Sequence, residues 1–297
     1  MTVAELFDIW INFKKIEVKK TTISTYLRKI DAYILPELAH YQLDELTVTV
    51  ITGFVSGLMK TLGSKSVIDI KTILQSAFTF AFKQKYVFDK IEIPAPPHIK
   101  KDIDTFSQTE QKKLIDYIVS NLDSRNFLVL LGLGCGMRVG ELCSLKYKDI
   151  KKICTVRHTV QRIKNMETDT PKTILYLGSP KSALSTRPVP INQFLLNTFS
   201  KIYNKKYDDC YILTNTKEFT EPRTLEKYFE KLLRDCKVEY KKFHTLRHSF
   251  ATNALRIGID LQTLSEIMGI TVKVLISTYI HSDLDVKVKS MEKLQMA

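Results

Sequence analysis

The chain has 297 residues, too many for one small core and enough for two domains. Its hydrophobic content of 44% and charged content of 26% exclude a disordered chain and indicate a globular one. The net charge of +13 predicts a polyanionic partner, and a solvated basic surface is the alternative. Residues 1–95 hold 12 Lys and Arg against 10 Asp and Glu, whereas the remaining chain holds 33 against 22. The excess charge therefore lies mainly after residue 95.

The sequence also bears on the compartment. Two acidic residues, Glu5 and Asp8, lie within the first eight positions, where a secretory signal needs positive charge. The longest apolar stretch, residues 127–137, is about half a bilayer span. The five cysteines form no CxxC pair, and their number is odd. These features predict a cytoplasmic protein with reduced thiols and without a disulfide framework, a metal site or a membrane span.

The first ninety residues have the apolar spacing of helices. Leu6, Ile9, Trp10 and Phe13 fall on one helical face. Three further helices are predicted at roughly 21–34, 49–62 and 64–85, and Pro36 is expected to close the first of these. Three prolines within residues 94–97 then predict an extended linker, because proline cannot continue a helix.

After the linker, the sequence pattern changes from helical to β-like and then back to helical. A capping box at residues 107–110 starts a new helix, and residues 126–135 predict a buried apolar helix that glycines end. Stretches at 155–157, 173–177 and 187–191 have β-like texture, and helical spacing returns from residue 192. The expected fold class is mainly α: an all-helical N-terminal domain, then a mainly helical domain with a small antiparallel β-sheet.

Phosphate chemistry is indicated by three separated motifs. Arg138 follows a glycine-rich turn, His244 and Arg247 lie three residues apart on one helical face, and Tyr279 comes thirty-two residues after Arg247. Two guanidiniums can grip the oxygens of one phosphate in planar forks and stabilise the charge of a transition state. A phenol supplies a nucleophile that would form a covalent intermediate.

The segment Phe-His-Thr-Leu-Arg-His-Ser-Phe-Ala-Thr at 243–252 resembles a conserved box of the tyrosine recombinase (phage integrase) family. The order of Arg138, the His-x-x-Arg box and Tyr279 is also similar to that family, and the resemblance extends over residues 1–282. It implies four segments: a core-binding domain at 1–91, a linker at 92–104, a catalytic domain at 105–282, and a tail at 283–297 that docks on a neighbouring subunit.

The resemblance implies a site-specific recombinase that cleaves and rejoins DNA through a covalent 3′-phosphotyrosine, without metal, ATP or another cofactor. The implied catalytic residues are Arg138, Lys181, His244, Arg247 and Tyr279. The implied partners are double-stranded DNA, a homo-tetramer on two DNA sites, and accessory DNA-bending or directionality proteins. The implied location is the cytoplasm, in association with the nucleoid.

Further positions support this implied site or compete for a place in it. The resemblance implies that Lys181 lies in the turn of a hairpin and protonates the leaving oxygen, with Lys172 as its competitor. Glu141 is expected to hold its neighbours in place, and His248 to buttress its helix. Ile270 stands where the family usually has His or Trp, and its side chain cannot form a hydrogen bond. The resemblance therefore implies that one phosphate contact is absent.

Two alternative functions remain open at this stage. A type IB topoisomerase would use the same nucleophile and arginines to relax supercoils without exchanging partners. A DNA-binding member of the family with weakened catalysis is supported only by Ile270. The apolar residues of the tail favour the recombinase, because they suit docking onto another subunit.

Overall fold

A computed structural model describes residues 1–87, 89, 91–93, 103–168, 170–179 and 186–279. The chain divides into two compact units, Met1–Lys101 with Ile163–Ile174, and Asp102–Arg162 with Leu175–Ala297. Lys181, most of the expected linker and the tail at 283–297 lie outside the described residues. Within the described ranges no helix has the length and apolar character needed to cross a bilayer.

The first unit is built from helices around a core that includes Leu6, Trp10 and Phe78. Its helices are α1 (Val3–Glu17), α2 (Lys20–Lys29), α3 (Leu35–Leu38), α4 (Val48–Thr61) and α5 (Ser64–Lys83). A π-helical turn, Ile30–Ile34, joins α2 to α3. The expectation of an all-helical N-terminal domain is confirmed.

The prediction that Pro36 closes the second helix is wrong. The chain stays helical from α2 through the π-turn and ends at Leu38, with Pro36 in the first turn of α3. The Leu35 N–H bonds to the Ile30 carbonyl, five residues back, so the turn before the proline is widened. A wider turn relieves the clash that a proline ring otherwise makes with the preceding turn.

The first unit also includes Ile163–Ile174, which the sequence analysis placed in the catalytic domain. The Lys164 N–H donates to Ser24 Oγ at 2.7 Å, and the Lys164 ammonium pairs with Asp31. Met166 packs against the core of the unit. These contacts join residues that are far apart in sequence, and no local sequence pattern predicts them.

Helices also dominate the second unit. They are α6 (Gln108–Ser120), α7 (Ser124–Cys135), α8 (Val139–Leu142), α9 (Gln193–Ser200), α10 (Pro222–Asp235), α11 (His244–Arg256), α12 (Leu261–Met268) and α13 (Val272–Tyr279). The described strands are β1 (Ile153–Val156), β2 (Thr159–Lys164), β3 (Thr173–Gly178) and β4 (Arg187–Pro190). Residues 163–164 of β2 and 173–174 of β3 belong to the first unit. The predicted fold class is confirmed, but the single small sheet is two: β1 pairs antiparallel with β4, and β2 pairs with β3.

The buried centre of the second unit is α7, packed against α11. Gly132 lets the two helices approach closely, because a Cβ there would lie 3.3 Å from Leu246. Gly136 ends α7 with φ +62°, and a Cβ there would lie 2.4 Å from Phe250. Glycine is required at this position by both its backbone conformation and its surroundings.

Gly136→Ala is expected to destabilise the protein, because a left-handed alanine costs about 1–2 kcal/mol before any clash with Phe250. Gly53→Ala is the matched control, since Gly53 lies inside α4 and a Cβ at that position would meet nothing within 4 Å. That substitution should raise stability by about 1 kcal/mol through helix propensity. Thermal unfolding of both variants checks the opposite signs, and equal effects would contradict the role given to Gly136.

Candidate active site

Arg138 is placed by the turn that ends α7. It is the N-cap residue of α8, and its backbone N–H donates to Glu141 Oε2 at 2.9 Å. Its guanidinium donates to Glu141 Oε1 at 2.7 Å and to the Gly269 carbonyl at 3.2 Å. These bonds fix the position of Arg138. About a third of its side chain remains exposed, so it is still accessible to a ligand.

Glu141 is buried, and two arginines hold it. Arg187 donates to Oε1 at 3.1 Å and to Oε2 at 3.0 Å, and Arg138 contacts the same carboxylate. Burial of Glu141 works to raise its pKa, but the hydrogen bonds and charge of Arg187, with the charge of Arg138, lower the pKa below its ordinary value. The supporting position expected for Glu141 thus corresponds to a buried, ionised carboxylate between two guanidiniums.

Arg247 is only 3% exposed and lies on the first turn of α11. It donates to the Gly136 carbonyl at 2.6 Å and to the Met268 carbonyl at 2.7 Å. Burial, reinforced by the positive charge of Arg138, lowers the pKa of Arg247 to about 9. The guanidinium therefore stays charged at neutral pH.

The C-terminal end of α12 organises all three arginines. Arg187 Nε donates to the Ile267 carbonyl at 2.5 Å, Arg247 to Met268 and Arg138 to Gly269, so three consecutive carbonyls each accept from a different arginine. Gly269 has φ +61° and ends the helix in the left-handed conformation. Free carbonyls at a helix C-terminus carry partial negative charge and therefore attract cations.

The two histidines of α11 lie next to each other. The rings of His244 and His248 are perpendicular, with centroids 4.7 Å apart. Part of His244 is exposed to solvent, but the rest of the side chain is covered by protein. This burial, together with the charges of His248 and Arg247, lowers the pKa of His244 to about 4. Burial and the charge of Arg247 also lower the pKa of His248. Both imidazoles are therefore neutral at pH 7.

Tyr279 is the last residue of α13 and is half-buried. Its hydroxyl lies 2.8 Å from His248 Nδ1. Its ring packs against a cluster of Ala251, Ala254, Leu264, Met268 and Leu275. Burial raises the pKa of Tyr279 above its ordinary value, against the opposing charges of Arg247 and Arg138.

Ile270 packs against the same apolar cluster as Tyr279. Its backbone N–H donates to the Ser265 carbonyl at 3.1 Å, one turn back in α12. The side chain is partly exposed. Ile270 thus contributes apolar surface beside the segment that carries the tyrosine.

Of the residues predicted for the site, the structure brings Arg138, Glu141, Arg247, His248 and Tyr279 into one hydrogen-bonded and apolar neighbourhood, with His244 beside His248. Lys181 lies outside the described residues. Lys172, its competitor, is exposed and belongs to the first unit. The described part of the site holds three guanidiniums against one carboxylate, which suits an anion.

Sequence reasoning missed Arg187. It was treated as part of a β-like stretch, but it is 3% exposed and bonds to both Glu141 and α12. The signal that could have indicated its burial is the alternation of buried and exposed residues along β4. Arg187 and Val189 lie on the buried face, and Pro188 and Pro190 face outward. A buried arginine needs a carboxylate or several carbonyls as partners.

Two models of known protein families match the chain. The model described as "Phage integrase family" matches residues 104–285, and that of the "Phage integrase, N-terminal SAM-like domain" matches residues 2–59. The first match alone covers more than half of the chain. The chain therefore belongs to the phage integrase family, and the resemblance in its motifs is confirmed.

Three curated relatives support this membership. A XerC-like tyrosine recombinase of Caldanaerobacter subterraneus subsp. tengcongensis is 29% identical over 69% of this chain and 59% of its own length. XerA of Pyrococcus furiosus is 30% identical over 69% of this chain and 66% of its own length. The ICEBs1 integrase of Bacillus subtilis is 25% identical over 93% of this chain and 78% of its own length. The matched region thus spans less than two thirds of the length of each of the first two relatives.

Solved structures with the same fold include two integrases. The Tn1549 transposon integrase in complex with a circular intermediate DNA gives a TM-score of 0.80 at 18% identity, covering 99% of this chain and 100% of that one. A lambda integrase tetramer bound to a Holliday junction gives 0.63 at 16% identity, covering 95% and 79%. At these identities the likeness establishes the fold.

Arg187→Gln is expected to lower the free energy of unfolding by about 3–5 kcal/mol, because it leaves Glu141 buried with one charged partner fewer. Arg162→Gln is the control, since Arg162 makes a partly exposed ion pair with Glu221 at 2.5 Å. Such a pair contributes at most about 1 kcal/mol. Urea unfolding of both variants measures the difference, and a similar loss in the two would argue against a special role for the buried pair.

Proposed function

We propose that the protein is a site-specific DNA recombinase that cleaves and rejoins DNA through a covalent 3′-phosphotyrosine. The observation that carries the proposal is the tyrosine hydroxyl beside a site with two surplus positive charges. Family membership supports the same proposal, as does the solved complex of the Tn1549 transposon integrase, which has the same fold, with DNA. The net charge of +13 suits a DNA partner.

The arginines are assigned to the scissile phosphate. Arg247 uses two of its five N–H groups on carbonyls, and Arg138 is about a third exposed, so both retain donors for phosphate oxygens. As the tyrosine attacks, negative charge accumulates on the non-bridging oxygens, and fixed guanidiniums stabilise it without reorganising. Because the new phosphotyrosine bond conserves the energy of the broken bond, the residues proposed here need no ATP or metal to rejoin the strand.

The leaving 5′ oxygen needs a proton. Lys181 is assigned this step on the basis of the family resemblance, since an ammonium can act as a general acid. His244 is assigned a contact with the phosphate as a neutral donor. None of the described residues hydrogen-bonds to its ring, so its N–H is free to meet a ligand.

The same proposal covers assembly. Residues 1–91 and 105–282 are assigned as core-binding and catalytic domains on either side of a linker at 92–104, with the tail at 283–297 docking between subunits. A homo-tetramer on two double-stranded DNA sites is proposed, supported by the lambda integrase tetramer of the same fold. Accessory DNA-bending or directionality proteins are proposed as helpers, acting where the DNA is, in the cytoplasm. Recombinant products from a two-site plasmid, rather than relaxed plasmid alone, would separate this activity from that of a topoisomerase.

Tyr279→Phe is expected to abolish covalent attachment to DNA and leave binding nearly intact, since it removes only the nucleophilic oxygen. The measurement is a denaturing gel after incubation with a nicked suicide substrate. Tyr240→Phe is the matched control, because Tyr240 is 62% exposed and lies outside the site. A covalent band that survives in the Tyr279 variant would overturn the assignment.

Arg138→Ala is expected to slow single-turnover cleavage by about a hundredfold or more, the effect of losing one preorganised donor. Arg125→Ala removes the same charge from an exposed position, where the guanidinium stacks on Tyr228, and should leave the rate nearly unchanged. Cleavage by the unaltered protein should also proceed in EDTA. A strict magnesium requirement, or equal losses in the two variants, would count against the mechanism.

A further inference from the structure

The hydroxyl of Tyr279 has a single hydrogen-bonding neighbour among the described residues. His248 Nδ1 lies 2.8 Å from it, and the two ring centroids are 5.5 Å apart. His248 directly follows Arg247 on α11, so one helix supplies both a guanidinium for the phosphate and a contact to the attacking oxygen. This position is more direct than the buttressing role expected from the sequence.

We infer that His248 is the proton acceptor for the Tyr279 hydroxyl when it attacks DNA. The inference rests on the proposed recombinase function and adds a residue and a role to it. The geometry already meets the requirement for a general base, a distance of about 2.6–3.2 Å to the oxygen that loses the proton. With the phenol as donor, Nδ1 accepts and the ring hydrogen is carried by Nε2.

Protons and electron pairs balance in this step. The O–H bond of Tyr279 breaks, its proton moves to Nδ1, and the oxygen forms the new bond to phosphorus. The bond from phosphorus to the 5′ oxygen breaks with its electron pair, and the 5′ oxygen takes a proton from the general acid. On rejoining, the 5′ hydroxyl returns its proton to the conjugate base of the general acid and attacks the phosphotyrosine. The bond from phosphorus to the tyrosine oxygen breaks with its electron pair, and the imidazolium of His248 returns its proton to the departing phenolate.

The surroundings of His248 suit this exchange. The charged or titratable groups that face it are Arg247 and His244 on its own helix, Tyr279 from α13, and Asp104 from the segment before α6. Burial and Arg247 keep the imidazole neutral at pH 7, so its lone pair is available. Asp104 acts in the opposite direction and favours the imidazolium that the step creates.

His244 is the competing acceptor, and the contacts disfavour it. Its ring packs edge-on against His248, and no described residue, Tyr279 included, hydrogen-bonds to it. The histidine nearest the nucleophile is therefore the second of the box.

The direct test is His248→Asn on a nicked suicide substrate. Asparagine can keep a hydrogen bond near the Nδ1 position but cannot take up a proton. Cleavage at pH 7 is expected to fall by about a hundredfold or more, the usual range for a lost general base. The unaltered protein should show a nearly flat rate between pH 7 and 9, since its acceptor is already neutral. The variant should gain about tenfold per pH unit, because hydroxide must then ionise the phenol.

A second substrate distinguishes the proton acceptor from the proton donor. A bridging 5′-phosphorothiolate has a leaving group that needs no proton. It should restore cleavage to a Lys181→Ala variant but not to His248→Asn. Restoration of both variants would mean that His248 serves the leaving group, and the inference would be wrong.

The remaining outcomes are also decisive. If His248→Asn cleaves within about threefold of the unaltered protein at every pH, the contact only positions the phenol. If His248→Asn fails to fold, His248→Ala with added imidazole replaces it, and rescue supports the inference while its absence contradicts it. His40→Asn, at an exposed histidine beside Tyr41, should change nothing. Absence of any covalent product from the unaltered protein would instead refute the proposed function itself.

Discussion

The site depends on one constraint, the mutual repulsion of three arginines placed close together in a largely buried region. An unpaired buried charge costs several kcal/mol, so these side chains can coexist only if something compensates them. Glu141 supplies one full negative charge, and the C-terminal carbonyls of α12 supply partial ones. This compensation is incomplete, and the positive charge that remains lets the site attract an anion.

The same constraint explains why parts of the second unit that are distant in sequence must be positioned accurately relative to one another. Arg138 comes from the start of α8, Arg187 from β4 and Arg247 from α11, yet all three reach the end of α12. Left-handed glycines at positions 136 and 269 aim two of the accepting carbonyls. Donors held in this way need not reorganise when charge develops on a substrate, which is the main source of electrostatic catalysis. The apolar packing of α7 against α11 holds the arrangement rigid.

Local chemistry made much of this molecule predictable. Helical spacing located the helices, and the ten-residue box with its correctly spaced arginine and tyrosine identified the family. Long-range contacts were not predictable in the same way. A π-turn carries the chain past Pro36, residues 163–174 join the first unit, and Arg187 finds Glu141 across 46 residues. Each depends on which surfaces meet after folding, and a single sequence contains no direct record of that.

The roles of Ile270 and His248 are linked, because both residues affect the ionisation of Tyr279. Ile270 and the apolar cluster form a wall along Tyr279, and burial raises the pKa of the phenol. A phenol that is harder to ionise is a poorer nucleophile at neutral pH unless a base takes its proton as it attacks. The apolar residue at position 270 therefore places a greater demand on the one hydrogen-bond partner that the described structure gives the hydroxyl. That partner is a neutral imidazole at 2.8 Å. In the proposed mechanism, the apolar wall and the neutral acceptor together keep the tyrosine protonated until a phosphate binds, and the acceptor then takes the proton as the tyrosine attacks.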